Sequence, residues 1–464
     1  MSPQQLAVSV PTDKRGAGSS RLLAFLGPAM LVSVGYMDPG NWATDLEGGA
    51  RFGHQLLWVL VVSNLIALLL QNLSARLGLV SGLDLAQACR RLYPQPVVFA
   101  LWALCEISIV ACDLAEVIGS AIALNLLFGI PMIWGAIITA FDVLLILVLQ
   151  RYGIRRLEAI VTVFILTIAA CFAVELYLVQ PVWGEVASGL RPRLTGAGLY
   201  IAIGILGATV MPHNLYLHTA LVKTRAVAPA RPAQARALKC NFIDTLLALN
   251  FAFLINASIL IVSADVFFRH GMPVNDLREA HRLLTPLLGA TLASSLFAIA
   301  LLCAGQSATI TGTMAGQVVM EGFLNLRISP VLRRVLTRAL AVIPAVLVLA
   351  IAGEQRSIEL LILTQVVLSL QLPFAIVPLI RFTCQKQLMG SFVNGRVIKW
   401  LGIACAGLVI VANAWLSIGS LDQWQDRAWV QMLIVAYLGL LLYITVVPLY
   451  RRALAPANPE AIAA

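Results

Sequence analysis

Charged residues are scarce in this chain: Asp, Glu, Lys and Arg make up 12% of its 464 residues, where a soluble domain carries about a quarter. Hydrophobic residues reach 60% and mean hydropathy is +0.90. A soluble fold has no core large enough to hide that much apolar surface, so the surrounding solvent is lipid. The eight cysteines form no CxxC pair, which excludes a thiol metal knuckle and argues against a disulfide framework; they read as small buried hydrophobes. The five histidines are scattered, leaving no zinc signature. No phosphate loop and no nucleophile–base constellation is present, so an enzyme is not expected. Long polar insertions are lacking too, the longest polar connections lying near 223–240 and 269–283.

What the chain does have is a series of apolar stretches, each about as long as the 17–25 residues a bilayer requires. They fall near 22–50, 55–79, 95–127, 131–150, 156–179, 197–222, 241–268, 284–322, 334–352, 357–381, 397–418 and 427–450. This predicts an all-α polytopic membrane protein of about twelve spans, because backbone in lipid must satisfy its own hydrogen bonds. The domain layout expected is a polar cytoplasmic N-terminus over 1–21, one transmembrane domain over 22–454, and a tail over 455–464.

The net charge of +10 is distributed as a topology signal rather than as a nucleic-acid surface. Lys14, Arg15 and Arg21, then Arg90 and Arg91, then Arg155 and Arg156 alternate onto one side of the predicted spans. Lys223, Arg236, Arg333, Arg334, Arg338, Lys386 and Arg451 fall on the same side. Only a minority, such as Arg51, Arg191, Arg193 and Arg269, face the other. The positive-inside rule then puts both termini in the cytoplasm of a cell (inner) membrane.

Two spans carry a break. The first reads GPAMLVSVGYMDPGNWATDLEGG, with a carboxylate, a proline and a glycine together at its middle. Pro39 removes a backbone donor and Gly40 relaxes the chain, so the helix is expected to unwind. In a soluble protein Asp-Pro-Gly would be a simple turn; here too few apolar residues flank it for two full spans. The sixth span, YIAIGILGATVMPHNLYLHTALV, also has a proline at mid-span. Both breaks share the frame x-Pro-x-Asn, Asp38-Pro39-Gly40-Asn41 and Met211-Pro212-His213-Asn214. They open spans 1–5 and 6–10, and since five is odd, the second set must run inverted. Interrupted helices in corresponding positions of two halves point to a transport site at the midplane.

Unwinding frees carbonyls, Asp38 supplies charge and Asn41 a neutral oxygen. An intramembrane carboxylate costs roughly 2.5–3.5 kcal/mol at a helix centre and marks function by default. Those oxygens alone suit Na⁺, Mg²⁺ or Ca²⁺; the soft thioether of Met211 favours later first-row metals. His213, next to Pro212, titrates near neutral pH when unperturbed and is a candidate proton relay, with a satisfied core histidine as the plainer reading. Span three carries Glu106, Asp113 and Glu116 on one face, a carboxylate stripe of the kind that marks a proton or ion path. Arg333 and Arg334 are candidate counter-charges, or simply positive-inside residues.

The stretches GPAMLVSVGYMDPGNWATDLEGGARFG, ILGATVMPHNLYLHTAL and CDLAEVIG resemble the Nramp family of proton-coupled divalent metal transporters. The resemblance covers spans one to ten. It implies a leucine-transporter-like fold of two inverted five-helix repeats, 22–180 and 197–382, with two extra helices over 397–450. It implies Mn²⁺ and Fe²⁺ as substrates imported with protons, and ligation by Asp38, Asn41, Met211 and the carbonyl of Ala208. In some conformations the Gly35 carbonyl and the Gln365 amide would join, with Gln371 as a competing candidate. Gly35 stands where the family often has alanine. Asp38, His213, Glu116, Asp113 and Glu106 would line the proton route, with Asn256 and Gln71 as secondary, water-holding candidates. No cofactor, nucleic acid or obligatory protein partner is expected. A sodium-coupled amino-acid transporter of the same fold is the rival reading, disfavoured because Asp38 would repel a substrate carboxylate. A Mg²⁺-selective relative is disfavoured by Met211, and a passive channel by the paired breaks.

Overall fold

The computed structural model describes residues 10–11, 27–142, 154–228, 230–272, 277–288, 291–326, 329–352, 357–419 and 428–446. The C-terminal tail, the N-terminal tail apart from Val10 and Pro11, Lys14, Arg15, Arg21, Arg451 and the second half of the fourth predicted span lie outside these residues.

The first break forms where the sequence places it. Pro28–Ser33 is a short α-helix (α1) that tightens into a 3₁₀ turn over Val34–Met37. Asp38 is extended, with φ −68° and ψ 166°, and the next helix, α2, runs Pro39–Phe52. Pro39 occupies the first helical position, where its missing N–H costs nothing, and the Asp38 carboxylate caps the new helix by accepting the Asn41 N–H at 2.8 Å. A 3₁₀ turn, Gly53–Leu56, leads into α3, Leu57–Ser81. The short α4, Leu85–Leu92, precedes the long α5, Gln95–Phe128, and then α6, Met132–Thr139. The first half closes with α7, Ile154–Val179, and is followed by the short α8, Trp183–Ser188.

The second half repeats the theme. Helix α9, Gly196–Val210, stops at Met211, whose φ of 5° and ψ of 109° lie outside helix. Helix α10, Pro212–Leu221, starts again with proline in the first position. Then come α11, Arg231–Ser263, α12, Leu277–Leu288, and α13, Thr291–Leu324. They are followed by α14, Pro330–Ala352, α15, Ser357–Thr383, and the single turn α16, Lys386–Met389. The chain ends in α17, Arg396–Gly419, and α18, Ala428–Val446. Val10–Pro11 and Arg225–Ala226 make a minimal parallel pairing.

Among the described residues, nine helical stretches are long and apolar enough to cross a membrane, with Pro28–Met37 and Val335–Ile351 as shorter apolar helices. That differs from the twelve expected in bookkeeping more than in architecture. The second half of span one continues through its 3₁₀ turn into span two, making one stretch over Pro39–Ser81. Two boundaries were wrong. The predicted span 284–322 begins at Thr291, because Leu277–Leu288 forms a separate helix that carries Arg278, Glu279, His281 and Arg282 among its leucines. The polar connection at 223–240 is largely helical, since α11 starts at Arg231.

The two broken helices sit at the centre, with α13 packed along α5, α11 along α3 and α2, and α9 against α15. Two glycines allow close approaches at the first break. A Cβ on Gly119 of α5 would strike the Pro39 ring, and one on Gly40 would strike the Gln365 carboxamide of α15. The first break is thus held between the backbone of α5 at Gly119, on which the Pro39 ring sits, and the Gln365 side chain, which rests on the Gly40 backbone.

Candidate functional site

At the break the Asn41 carboxamide collects oxygens. Its Nδ2 donates to the Gly35 carbonyl at 3.2 Å, to Asp38 Oδ1 at 2.9 Å and to the Ala208 carbonyl at 3.1 Å. Three of the oxygens named from sequence and resemblance therefore converge on one point, occupied by a hydrogen-bond donor. A cation at that point would be served by the same oxygens, with the carboxamide turned to present Oδ1. Asn256 of α11 braces the arrangement, donating to the Tyr36 carbonyl at 2.7 Å and to Asn41 Oδ1 at 3.4 Å.

The second break answers symmetrically. Asn214, the counterpart of Asn41 in the x-Pro-x-Asn frame, donates to the Val32 carbonyl at 3.4 Å and to the Met211 sulfur at 3.6 Å. Each asparagine thus reaches across to the other broken helix, Asn41 to Ala208 and Asn214 to Val32. Sequence reading noted the frame and missed this role for Asn214; the repeated Asn three residues after the break was the available signal.

Met211 lies close to Gly35: a Cβ there would stand 3.1 Å from the sulfur and collide with the Asn214 amide. Glycine at this position therefore makes room for both side chains. Gln365 rather than Gln371 lies against Gly40. Its Nε2 donates to Thr364 Oγ1 at 3.0 Å, while its Oε1 is buried without a hydrogen-bond partner. Asp38, Ala208, Met211 and Gln365 are 0% exposed and Asn41 1%, so these groups are fully buried. No group of three or more His, Cys, Asp or Glu is placed to hold a metal among the described residues; the donor set here is one carboxylate, two amides, a thioether and backbone carbonyls.

The carboxylate stripe runs away from this site along α5. Glu116 Oε2 lies 3.6 Å from Arg338, Asp113 Oδ1 lies 4.0 Å from the same guanidinium, and Glu106 Oε1 pairs with Arg333 at 2.8 Å. Trp102 donates to Glu106 at 3.0 Å. Arg338, counted beforehand only as a positive-inside charge, is the buried partner of the two inner carboxylates; it lies five residues beyond Arg333, so a helix turn brings it deeper. The side chain of Arg334 lies outside the described residues. His213 is buried, and its Nδ1 has no hydrogen-bond partner among the described residues. A second histidine, His218, sits in a chain the sequence did not suggest, with Nδ1 2.8 Å from Gln71 Oε1, whose Nε2 donates to the Tyr36 hydroxyl at 2.8 Å. Asp244, also without a role beforehand, accepts the Ala29 N–H at 3.0 Å and the Gly27 N–H at 3.4 Å at the start of α1. A cavity of about 450 Å³ bordered by His54, Glu185, Asp265 and Arg269 lies at the far end of α2 and takes no part in this constellation.

Known proteins share this sequence and architecture. Residues 29–419 match the model of the natural resistance-associated macrophage protein-like family, Nramp. A divalent metal cation transporter MntH of Xylella fastidiosa is 52% identical over 417 residues, covering 88% of each chain. That of Xanthomonas campestris is 53% identical over 410 residues, covering 87% of this chain and 92% of its own. The manganese transporter of Eremococcus coleocola superposes with a TM-score of 0.88 at 37% identity, covering 96% of this chain and 99% of the other. Mhp1, a nucleobase-cation-symport-1 family transporter, shares the fold at 15% identity with a TM-score of 0.56, over 89% of this chain and 95% of its own. The architecture is the leucine-transporter-like one, two inverted five-helix repeats with discontinuous first helices and two added helices.

Proposed function

Because this chain belongs to the Nramp family, we propose that it is a secondary active transporter importing divalent transition-metal ions, Mn²⁺ and Fe²⁺, into the cytoplasm together with protons. The observation that carries this reading is the convergence of Asp38 Oδ1, the Gly35 carbonyl and the Ala208 carbonyl on one point beside the Met211 sulfur. Charge at Asp38 draws a cation, and the thioether discriminates against hard ones. Asp38, Asn41, Met211 and the Ala208 carbonyl form the binding site; Gly35 and Gln365 complete it as the helices rearrange.

Protons follow a separate line on this reading. Asp38 is both ligand and proton acceptor, and Glu116, Asp113 and Glu106 lead from it along α5, with Arg338 and Arg333 balancing their charge. His213 borders the metal site. We read residues 22–454 as a single transmembrane domain in the inner membrane, with tails 1–21 and 455–464 in the cytoplasm. The substrates are the metal ion and protons, the bilayer is the one standing partner, and no cofactor is involved.

Mn²⁺ uptake into proteoliposomes, with and without an acidic exterior, tests both halves. An acidic exterior should accelerate uptake, and Asp38→Ala should abolish it. Normal uptake by Asp38→Ala would remove the site assignment, whereas uptake indifferent to the gradient would remove proton coupling and leave metal transport standing.

A further inference from the structure

One buried thiol stands inside this machinery. Cys112 of α5 is 2% exposed and packs with Met211 and Leu368 in a small cluster separate from the main core. Its Sγ lies 3.8 Å from Asp38 Oδ2 and 3.6 Å from Glu116 Oε1. The two oxygens of Asp38 are thereby divided: Oδ1 receives the Asn41 donors, and Oδ2 faces the sulfur. The other buried cysteines, Cys89, Cys105 and Cys171, have no such contact with Asp38.

We propose that Cys112 is a second sulfur donor of the transport site, biasing it toward thiophilic divalent cations, for which Cd²⁺ is the probe. The inference rests on the placement of the metal at Asp38 proposed above. Geometry supports it: with metal–oxygen about 2.1 Å and metal–sulfur about 2.3 Å, a carboxylate oxygen and a sulfur 3.8 Å apart subtend roughly 120° at a shared ion. Two features independent of the cysteine also point to a cation here. Three oxygens gather on the Asn41 amide nitrogen, and the Gln365 carboxamide, whose Nε2 lies against Gly40, keeps its Oε1 buried without a hydrogen-bond partner. A thioether alone is a weak soft ligand, whereas a thiolate beside it raises the preference for late, polarisable metals. The thiolate is the ligating form, so ligation breaks the S–H bond, forms the metal–sulfur bond, and passes the proton to Glu116 Oε1, the neighbouring acceptor. An ion that does not engage the sulfur leaves the thiol protonated between the two carboxylates, as it stands here.

The test measures Cd²⁺ and Mn²⁺ affinity of the purified full-length transporter by calorimetry, together with the ultraviolet thiolate-to-cadmium charge-transfer absorption. Cys112→Ser should weaken Cd²⁺ by about tenfold and Mn²⁺ by no more than about threefold, since a hard hydroxyl replaces a soft donor. The absorption band should vanish in Cys112→Ser and persist in Cys105→Ser. Cys112→Ala, checked for folding by its melting temperature, should behave as Cys112→Ser does, which separates lost sulfur from added hydroxyl. An unchanged Cd²⁺/Mn²⁺ ratio, or a band that survives Cys112→Ser, would overturn the assignment. Asp38→Ala distinguishes the two levels. If it abolishes binding of both metals while Cys112→Ser alters nothing, only the thiol assignment falls; if it retains Mn²⁺ binding, the site itself lies elsewhere.

Discussion

Asn41 shows how one side chain serves two states. Its carboxamide nitrogen donates to three oxygens that a cation would take over, so a dry, fully buried site keeps its acceptors satisfied. Asn41→Ala would take the side-chain donor from the Gly35 and Ala208 carbonyls, while Asp38 Oδ1 keeps the backbone N–H of residue 41; each orphaned buried acceptor costs about 1–3 kcal/mol. Loss of both thermal stability and metal affinity is expected, readable by melting with and without Mn²⁺. In the proposed site Met211 would contribute softness rather than charge. Met211→Ala should therefore narrow the discrimination of Mn²⁺ over Ca²⁺ and Mg²⁺ by about tenfold, roughly 1.4 kcal/mol, while leaving total cation binding in place. Competition of Ca²⁺ and Mg²⁺ against Mn²⁺ uptake measures it. Gly35→Ala would press on Asn214 and Met211.

Between elements, the site is held by crossed asparagines and by close backbone approach. Asn41 ties the first broken helix to the second, and Asn214 ties the second to the first. Gly119 gives Pro39 its seat on α5. Gly119→Val adds bulk where backbone and ring already touch, a change that costs about 1–3 kcal/mol in a packed core and should reduce Mn²⁺ affinity without removing any ligand. The α5–α14 pairing has larger stakes. Arg338 is 4% exposed, facing Glu116 at 0% and Asp113 at 7%, and deleting one partner of such a buried set costs on the order of 3–5 kcal/mol. Arg338→Ala should lower the melting temperature sharply, and Glu116→Gln in the same chain should restore part of it by removing the unpaired charge. Lack of any restoration in the double variant would separate Arg338 from the carboxylate line.

At the scale of the whole molecule, the Lys and Arg distribution and the broken helices give one orientation. Glu185 lies in α8, beyond α7 and close to Arg269 at 2.8 Å, whereas Lys386 lies in α16 after α15. These belong to opposite faces on the positive-inside reading. A single cysteine placed by Glu185→Cys, in a background cleared of partly exposed thiols, should react with an impermeant maleimide outside intact cells. Lys386→Cys should react only after permeabilisation, and the reverse pattern would invert the topology.

Much of this was legible in the chain itself. The two breaks are written in local chemistry: a proline cannot continue a helix, and an aspartate before it caps the next one. Hydropathy set the spans, and charge counting supplies an expected direction that the labelling experiment tests. The carboxylate stripe on α5 needed only helical periodicity. Where pattern and structure parted, the cause was local, as at 284–322, where an amphipathic helix and a membrane helix adjoin in one apolar stretch. The identity of partners is another matter, because periodicity says which face a residue occupies and nothing about what meets that face. Only packing decided that Arg338 rather than Arg333 reaches Glu116, that Gln365 rather than Gln371 rests on Gly40, and that Asn214 braces Met211. Only packing brought Cys112, one apolar-looking cysteine among eight, within 3.8 Å of the carboxylate at Asp38. Breaks and spans are local properties that the chain carries in its order of residues; the meeting of Asp38, Asn41, Ala208, Met211 and Gln365 comes about only when the two broken helices and α15 pack together.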